Sequence, residues 1–428
     1  MRSSPRRPVL GALAVVSMLG LVAACGSGGA SSEIQLWGLQ DDLLNESTEQ
    51  IVASYNENAE TPVNYSYYVN DPYKERLQVA LGSPQGPDVW LNWGGGNLSQ
   101  FVEAGQVTDL TPMLEQEPEL RDAFLPSVME VGTVDGSVYA LPMVGTQPVL
   151  LYFNQEVFDE AGVEPPQTYD DLLELVDVFT ERDITPIVLP GQQAWTEMFW
   201  LAYLTERIGG PDVFQAVIDG EEGAWRDPAM IEAMERCQEL VEAGAFGTSY
   251  ASVTYDGGAA TELLTSGEAA MFLMGTWEYG SQLASAPEFV ESSLGWTTFP
   301  MVEDGEGDPQ ALVGNPSNYF SITANSEHVD ASFEFLAETL TSDAYLDSLL
   351  ELGQVPPVVG IEDRLAASPG ADHATWVYDL VDNASSYTQV WDQAMTPAQA
   401  EVLLTNIQRL FLNEITPDEF AAAMEQAS

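Results

Sequence analysis

Two hydrophobic periodicities alternate along this chain, and that alternation limits the folds open to it more than any other feature. Residues 33–38 alternate like a strand and end at Gly38. Residues 43–56 then place Leu44, Ile51, Val52 and Tyr55 in helical register. Residues 63–68 read as a second strand, 73–81 as a second helix, and 87–93 as a third strand stopped by Gly94-Gly95-Gly96. Strand–helix units of this length predict an α/β fold with a largely parallel sheet covered by helices. The pattern resumes downstream with strands over 148–153 and 184–189. Thr168-Tyr169-Asp170-Asp171 predicts a capping box opening a helix that carries Leu172, Leu173, Val176 and Phe179, and 195–208 is helical up to Gly209-Gly210. Asn325-Ser326 predicts a cap for a helix with Val329, Phe333, Leu336 and Leu340 inward. Thr396-Pro397 and Thr416-Pro417 open two helices at the C-terminal end. The 428 residues give length for two globular domains.

The N-terminus carries Arg2, Arg6 and Arg7, then an apolar run over 9–22, then Ala23-Ala24-Cys25 and a Gly/Ser-rich stretch to Ser32. Basic residues before a short apolar core and small residues predict a secretory signal over 1–24 rather than a membrane span. The segment resembles the bacterial lipobox, which implies lipidation of Cys25 and a flexible tether over 25–32. The lipid is then the only membrane attachment expected, on the outer face of the cell membrane.

Net charge is −55, and Lys74 is the only lysine. Such a surface repels phosphates, so no nucleic acid is expected as a partner. The acidity suits a chain kept soluble in salty surroundings, where counterions screen its self-repulsion. Cys237 falls on one helical face with Met230, Met234 and Val241 and reads as a buried structural thiol. His328 and His373, the only histidines, sit beside acidic residues in stretches expected to be helical and exposed. Two histidines cannot make a three-histidine metal site, His-Glu-x-x-His is absent, and the mature chain holds no Gly-x-Ser-x-Gly elbow and no phosphate-binding Gly-Lys-Ser/Thr. No cofactor, metal or catalytic residue is expected.

Several stretches, in order, resemble the extracellular solute-binding proteins of carbohydrate ABC importers, the group that includes maltose-binding protein. They begin with Pro87-Asp88-Val89-Trp90-Leu91-Asn92-Trp93-Gly94-Gly95-Gly96, Phe101-Val102-Glu103-Ala104-Gly105 and Asp109-Leu110-Thr111-Pro112. Tyr139-Ala140-Leu141-Pro142, Leu151-Tyr152-Phe153-Asn154 and Phe158-Asp159-Glu160-Ala161-Gly162 follow. Thr265-Ser266-Gly267-Glu268-Ala269-Ala270-Met271-Phe272 then leads to Gly275-Thr276-Trp277. Where the family commonly has Tyr-Asn-Lys, this chain has Phe153-Asn154-Gln155. The resemblance implies two α/β lobes made of non-contiguous segments, with ligand in the cleft between them. It places lobe 1 over 33–144 plus about 300–340, and lobe 2 over 145–299 plus about 341–428. The first crossover is expected near 141–148, the second near 296–300, and a third after the helix ending near Leu340. It further implies capture of a neutral di- or oligosaccharide by lobe closure and delivery to permease subunits, by a monomer without catalysis. A secreted glycoside hydrolase, with its two carboxylates, and a binder of another neutral solute are the alternatives.

A sugar offers apolar C–H faces and a rim of hydroxyls, so its site needs flat aromatics and planar amides or carboxylates. Strand ends face the crevice in open α/β sheets. Trp37 with Gln40, Asp41 and Asp42 in the turn that follows, Trp93, Gln147, Trp195 and Trp277 fall at such ends or in Gly-rich turns. So do Asn315, Asn318 and Tyr319 in an amide-rich turn, and Trp391 before the last helices. Trp93, directly before Gly94, and Trp277, which follows Gly275-Thr276, are the leading stacking candidates, because the glycines would let ligand approach the backbone. Trp90, Trp200, Trp225, Trp296 and Trp376 are assigned to structure.

Overall fold

A computed structural model describes residues 33–83 and 86–427. The expected leader, Cys25 and the tether lie outside the described residues. Strands β1 (Ile34–Leu39), β2 (Val63–Tyr68) and β3 (Val89–Asn92) pair in parallel and begin a first sheet. A hairpin of β4 (Thr133–Val134) and β5 (Ser137–Val138) precedes β6 (Leu141–Pro142), which lies at that sheet's edge. The chain then enters a second sheet through β7 (Gln147–Asn154), followed by β8 (Thr185–Val188), β9 (Ala269–Gly275), β10 (Leu294–Thr297) and β11 (Leu312–Asn315). It returns to the first sheet with β12 (Tyr319–Ile322) and closes the second with β13 (Tyr387–Gln389). The orders are β2-β1-β3-β12-β6 and β13-β11-β7-β9-β8, with β10 also on β7. All residues of β7 and β9 are buried, as helices on both faces require.

Two expectations are corrected here. The sheets are mixed: β12 runs antiparallel to β3 and β6, and β7 antiparallel to β9, β10 and β11. Strands that arrive from the other lobe enter from the opposite end, so crossovers bring antiparallel pairs into an otherwise parallel pattern. The second crossing falls between Asn315 and Tyr319, not near 296–300, because β11 still pairs with β7 and β13. The first crossing lies between Pro142 and Gln147. The third comes after helix Asp343–Glu351, which packs on helix Asp42–Asn56 of the first lobe.

The three crossing segments are stitched together. Met143 N–H donates to the Asn318 carbonyl (2.9 Å), Thr146 N–H to Val355 (2.8 Å), and the Ser317 hydroxyl to Val144 (2.9 Å). Gly145 sits so close to Val355 that a Cβ would lie 2.5 Å from its nitrogen.

The helix boundaries follow local chemistry. Thr168, Thr396 and Thr416 each form a full capping box. His373 departs from the sequence reading. It is buried, stacked at 3.8 Å on Tyr279 with the edge of Trp296 against it, and its Nε2 lies 3.4 Å from the Tyr152 hydroxyl. Acidic neighbours point outward from helix Ala371–Asp382 while His373 takes the inner face. Burial pushes its pKa down to about 3. Cys237 is buried beside Met230 and Met234.

Candidate functional site

A cavity of about 220 Å³ lies between the sheets, with the crossing segments as its floor. Gln147 opens β7 there, Asn315 ends β11, and Asn318 precedes β12. The first lobe contributes Gln40, Asp41, Tyr65, Lys74 and Trp93. The second contributes Trp195, Phe199, Tyr255, Asp256, Trp277, Asp392 and Gln393.

The aromatic wall of the second lobe is one interlocked group. Trp195 sets its edge against Phe199 (5.5 Å), Tyr255 (5.6 Å) and Trp277 (6.2 Å). Gly275 makes this possible: a Cβ there would fall 2.1 Å from the Trp277 ring, so only glycine lets the indole fold back over the strand end. Beneath the wall, Glu278 is fully buried and accepts from Gln282 (2.8 Å) and Thr261 (3.2 Å). Burial raises its pKa to about 7. On the opposite wall, Trp93 meets the edge of Tyr73 at 6.1 Å, with the Lys74 ammonium 5.1 Å from its ring centre.

Three buried amide oxygens at the cavity, Asn315 Oδ1, Asn318 Oδ1 and Gln393 Oε1, have no protein donor. A buried acceptor left so costs about 1–3 kcal/mol, which a ligand donor recovers. The carboxylates are engaged otherwise: Asp41 caps helix Asp42–Asn56 by accepting the Leu44 N–H, Asp256 accepts the Gln193 side-chain amide at 3.1 Å, and Asp392 pairs with Lys74. Among the described residues no group of three or more His, Cys, Asp or Glu could hold a metal, and no helix is long and apolar enough to cross a membrane.

Of the twelve residues singled out from sequence, Gln40, Asp41, Trp93, Gln147, Trp195, Trp277, Asn315 and Asn318 line this cavity. Three do not. Trp37 packs edge-on to Tyr68 under the Arg76 guanidinium, Tyr319 is fully buried with its hydroxyl on the Val128 carbonyl, and Trp391 stacks flat on Phe214 at 4.5 Å. The Asp42 side chain lies outside the described part. The glycines after Trp93 are also corrected. Their space is filled by protein, since Cβ atoms on Gly94, Gly95 and Gly96 would strike Val131, Gln389 and Ala394 respectively. Sequence reasoning missed Lys74, Tyr65 and Tyr255. In the stretch Trp391-Asp392-Gln393 it points to the ring, whereas Asp392 and Gln393 are the side chains that line the cavity.

Residues 41–345 match the family of bacterial extracellular solute-binding proteins. The chain belongs to that family. An uncharacterised ABC transporter extracellular-binding protein of Pyrococcus horikoshii is 24% identical over 284 residues, 66% of this chain and 60% of that protein. A second from the same organism matches over 50% of its own length, so the chain spans only about half to three-fifths of these two relatives. The arabinooligosaccharide-binding protein of Halalkalibacterium halodurans is 24% identical over 91% of this chain and 87% of its own. A solved structure from work on xylan utilisation by Caldanaerobius polysaccharolyticus superposes with TM-score 0.83 at 25% identity, covering 92% of this chain and 99% of that one. A chitin oligosaccharide binding protein gives 0.82 at 22%, over 92% and 97%. These likenesses bear out the two-lobed α/β architecture of this solute-binding protein.

Proposed function

We propose that this solute-binding protein captures a short neutral sugar between its lobes and passes it to the permease of an ABC importer. The observation that carries the reading is the pairing of an aromatic wall with buried, unpartnered amide oxygens in one interlobe cavity. Rings stack on C–H faces while the amides of Asn315, Asn318 and Gln393 accept hydroxyl protons. The cavity is smaller than the roughly 300–1,000 Å³ of drug-sized ligand pockets, which favours one or two sugar rings over a long chain. Relatives named for arabinooligosaccharide and for xylose/arabinose binding support the same class. Acylation at Cys25 would hold the protein at the outer face of the membrane, beside its permease. The chain turns nothing over in this reading, because the cavity's Asp41, Asp256 and Asp392 are committed to a helix cap, a hydrogen bond from the Gln193 amide and an ion pair.

The test is a thermal-shift and calorimetric screen of the full chain with galactose, xylobiose, chitobiose and stachyose. A true ligand at about 100 times its Kd adds about 2.7 kcal/mol of stability. No stabilisation by any neutral sugar, or sustained release of reducing ends that tracks protein concentration, overturns the reading.

A further inference from the structure

The one lysine of the sequence stands in the cleft. Lys74 projects from helix Asn70–Ala80 of the first lobe, and its ammonium lies 3.3 Å from Asp392 Oδ2, on helix Trp391–Ala394 of the second. The Asp392 side chain is 3% exposed, whereas every other carboxylate in an ion pair among the described residues is at least 34% exposed. Desolvation strengthens the attraction in such a pair, and loss of one partner leaves the other charge buried without it. The same ammonium faces the Trp93 ring, and the Trp93 carbonyl accepts the Gln389 side-chain amide at 2.6 Å, again from the other lobe. Gly96 packs on the Ala394 and Met395 backbone beside them, where a Cβ would lie 2.3 Å from an oxygen. These contacts join the lobes at one place, and the ion pair is the only charged one there among the described residues.

We propose that Lys74 and Asp392 form an electrostatic latch that sets how far the cleft stays closed and holds the Asp392 carboxylate at the ligand cavity. The inference rests on the reading of that cavity as the ligand site, but its test needs no sugar. Separating the lobes breaks the pair and returns both charges to water; closing them restores it. Lys74 is therefore a positioning residue for closure, acting through Asp392 and Trp93.

Small-angle scattering of the ligand-free full chain reads the closed-to-open ratio. Lys74→Met and Asp392→Asn should each lower that ratio roughly tenfold, equivalent to about 1.4 kcal/mol, and enlarge the radius of gyration. Lys74→Arg should stay near wild type. The exchanged double variant, Lys74→Asp with Asp392→Lys, should recover closure lost in the single variants. Rising NaCl should open the wild type progressively while Lys74→Met responds little. Circular dichroism melts confirm that each variant is folded. Wild-type scattering and salt response in folded Lys74→Met overturn the latch, and so does an exchanged variant as open as the single ones. A failed sugar screen would sink the proposed ligand and leave this result standing.

Discussion

Acidification should unfold this protein through His373, and the size of the effect follows from its burial. The ring is stacked on Tyr279 and enclosed by Trp296 and Tyr152, with its pKa lowered from 6.5 to about 3 by desolvation. A folded-state pKa below the unfolded one gives stability that is complete above pH 6.5 and drains away as pH falls towards 3. One pKa unit corresponds to 1.36 kcal/mol, so by about pH 4.5 the histidine should have cost about 2.7 kcal/mol relative to pH 8. His373→Phe keeps a flat ring against Tyr279 without the titrating nitrogens. Urea unfolding of both proteins between pH 8 and 4.5 isolates the term, because the other groups titrate alike in each. The wild type should lose about 2.7 kcal/mol more than the variant over that range. Equal losses would show that the ring is protonated at no cost, and the buried placement would be refuted.

Glu197 should act in the opposite direction: burial raises its pKa to about 8, so its stability is complete below 4.5 and is lost as pH climbs through 8. Glu197→Gln should be more stable than wild type by about 3 kcal/mol at neutral pH and no different near pH 4, as denaturant melts would register. Trp277→Ala should weaken sugar binding about 5- to 150-fold, by analogy with base–aromatic stacking, and leave the protein folded, at a smaller cost in stability than loss of a fully buried ring. Trp391→Ala should instead cost about 3–5 kcal/mol of stability, since its ring fills the core against Phe214; calorimetry beside melts separates the two. Cys25→Ser should release the protein from membranes or leave its leader uncut, and a lipidated, membrane-bound variant on fractionation would end that reading.

What could be read from sequence was whatever depends on neighbours in the chain. The capping box at Thr168, the helix starts at Thr396 and Thr416, strand β2 and the helix after Gln193 all follow from local spacing. Amides at strand ends reached the cavity because a strand end is itself a local property. Which way a ring turns is not. Tyr319 and Trp391 stand in cavity-forming segments, yet partners almost two hundred residues away, Val128 and Phe214, hold them in the core. The second crossing was misplaced for the same reason, since β11 is fixed to its sheet by β13, some seventy residues further on. The glycines after Trp93 are close-approach positions, but what approaches is protein: Val131 of the same lobe at Gly94, and the other lobe at Gly95 and Gly96.

The stitched crossings also fix an order of assembly. The first sheet has β12 inserted between β3 and β6, so β6 has no partner in it until residues 319–322 have been made. The second likewise lacks an edge until β13 arrives. Neither lobe can therefore be complete before the later segments join it, and long-range pairings of this kind are slow to form. No single cut in the chain yields an intact lobe. A fragment ending before Tyr319 would carry most of the cavity-lining residues and still lack the strand that joins β6 to the rest of its first sheet.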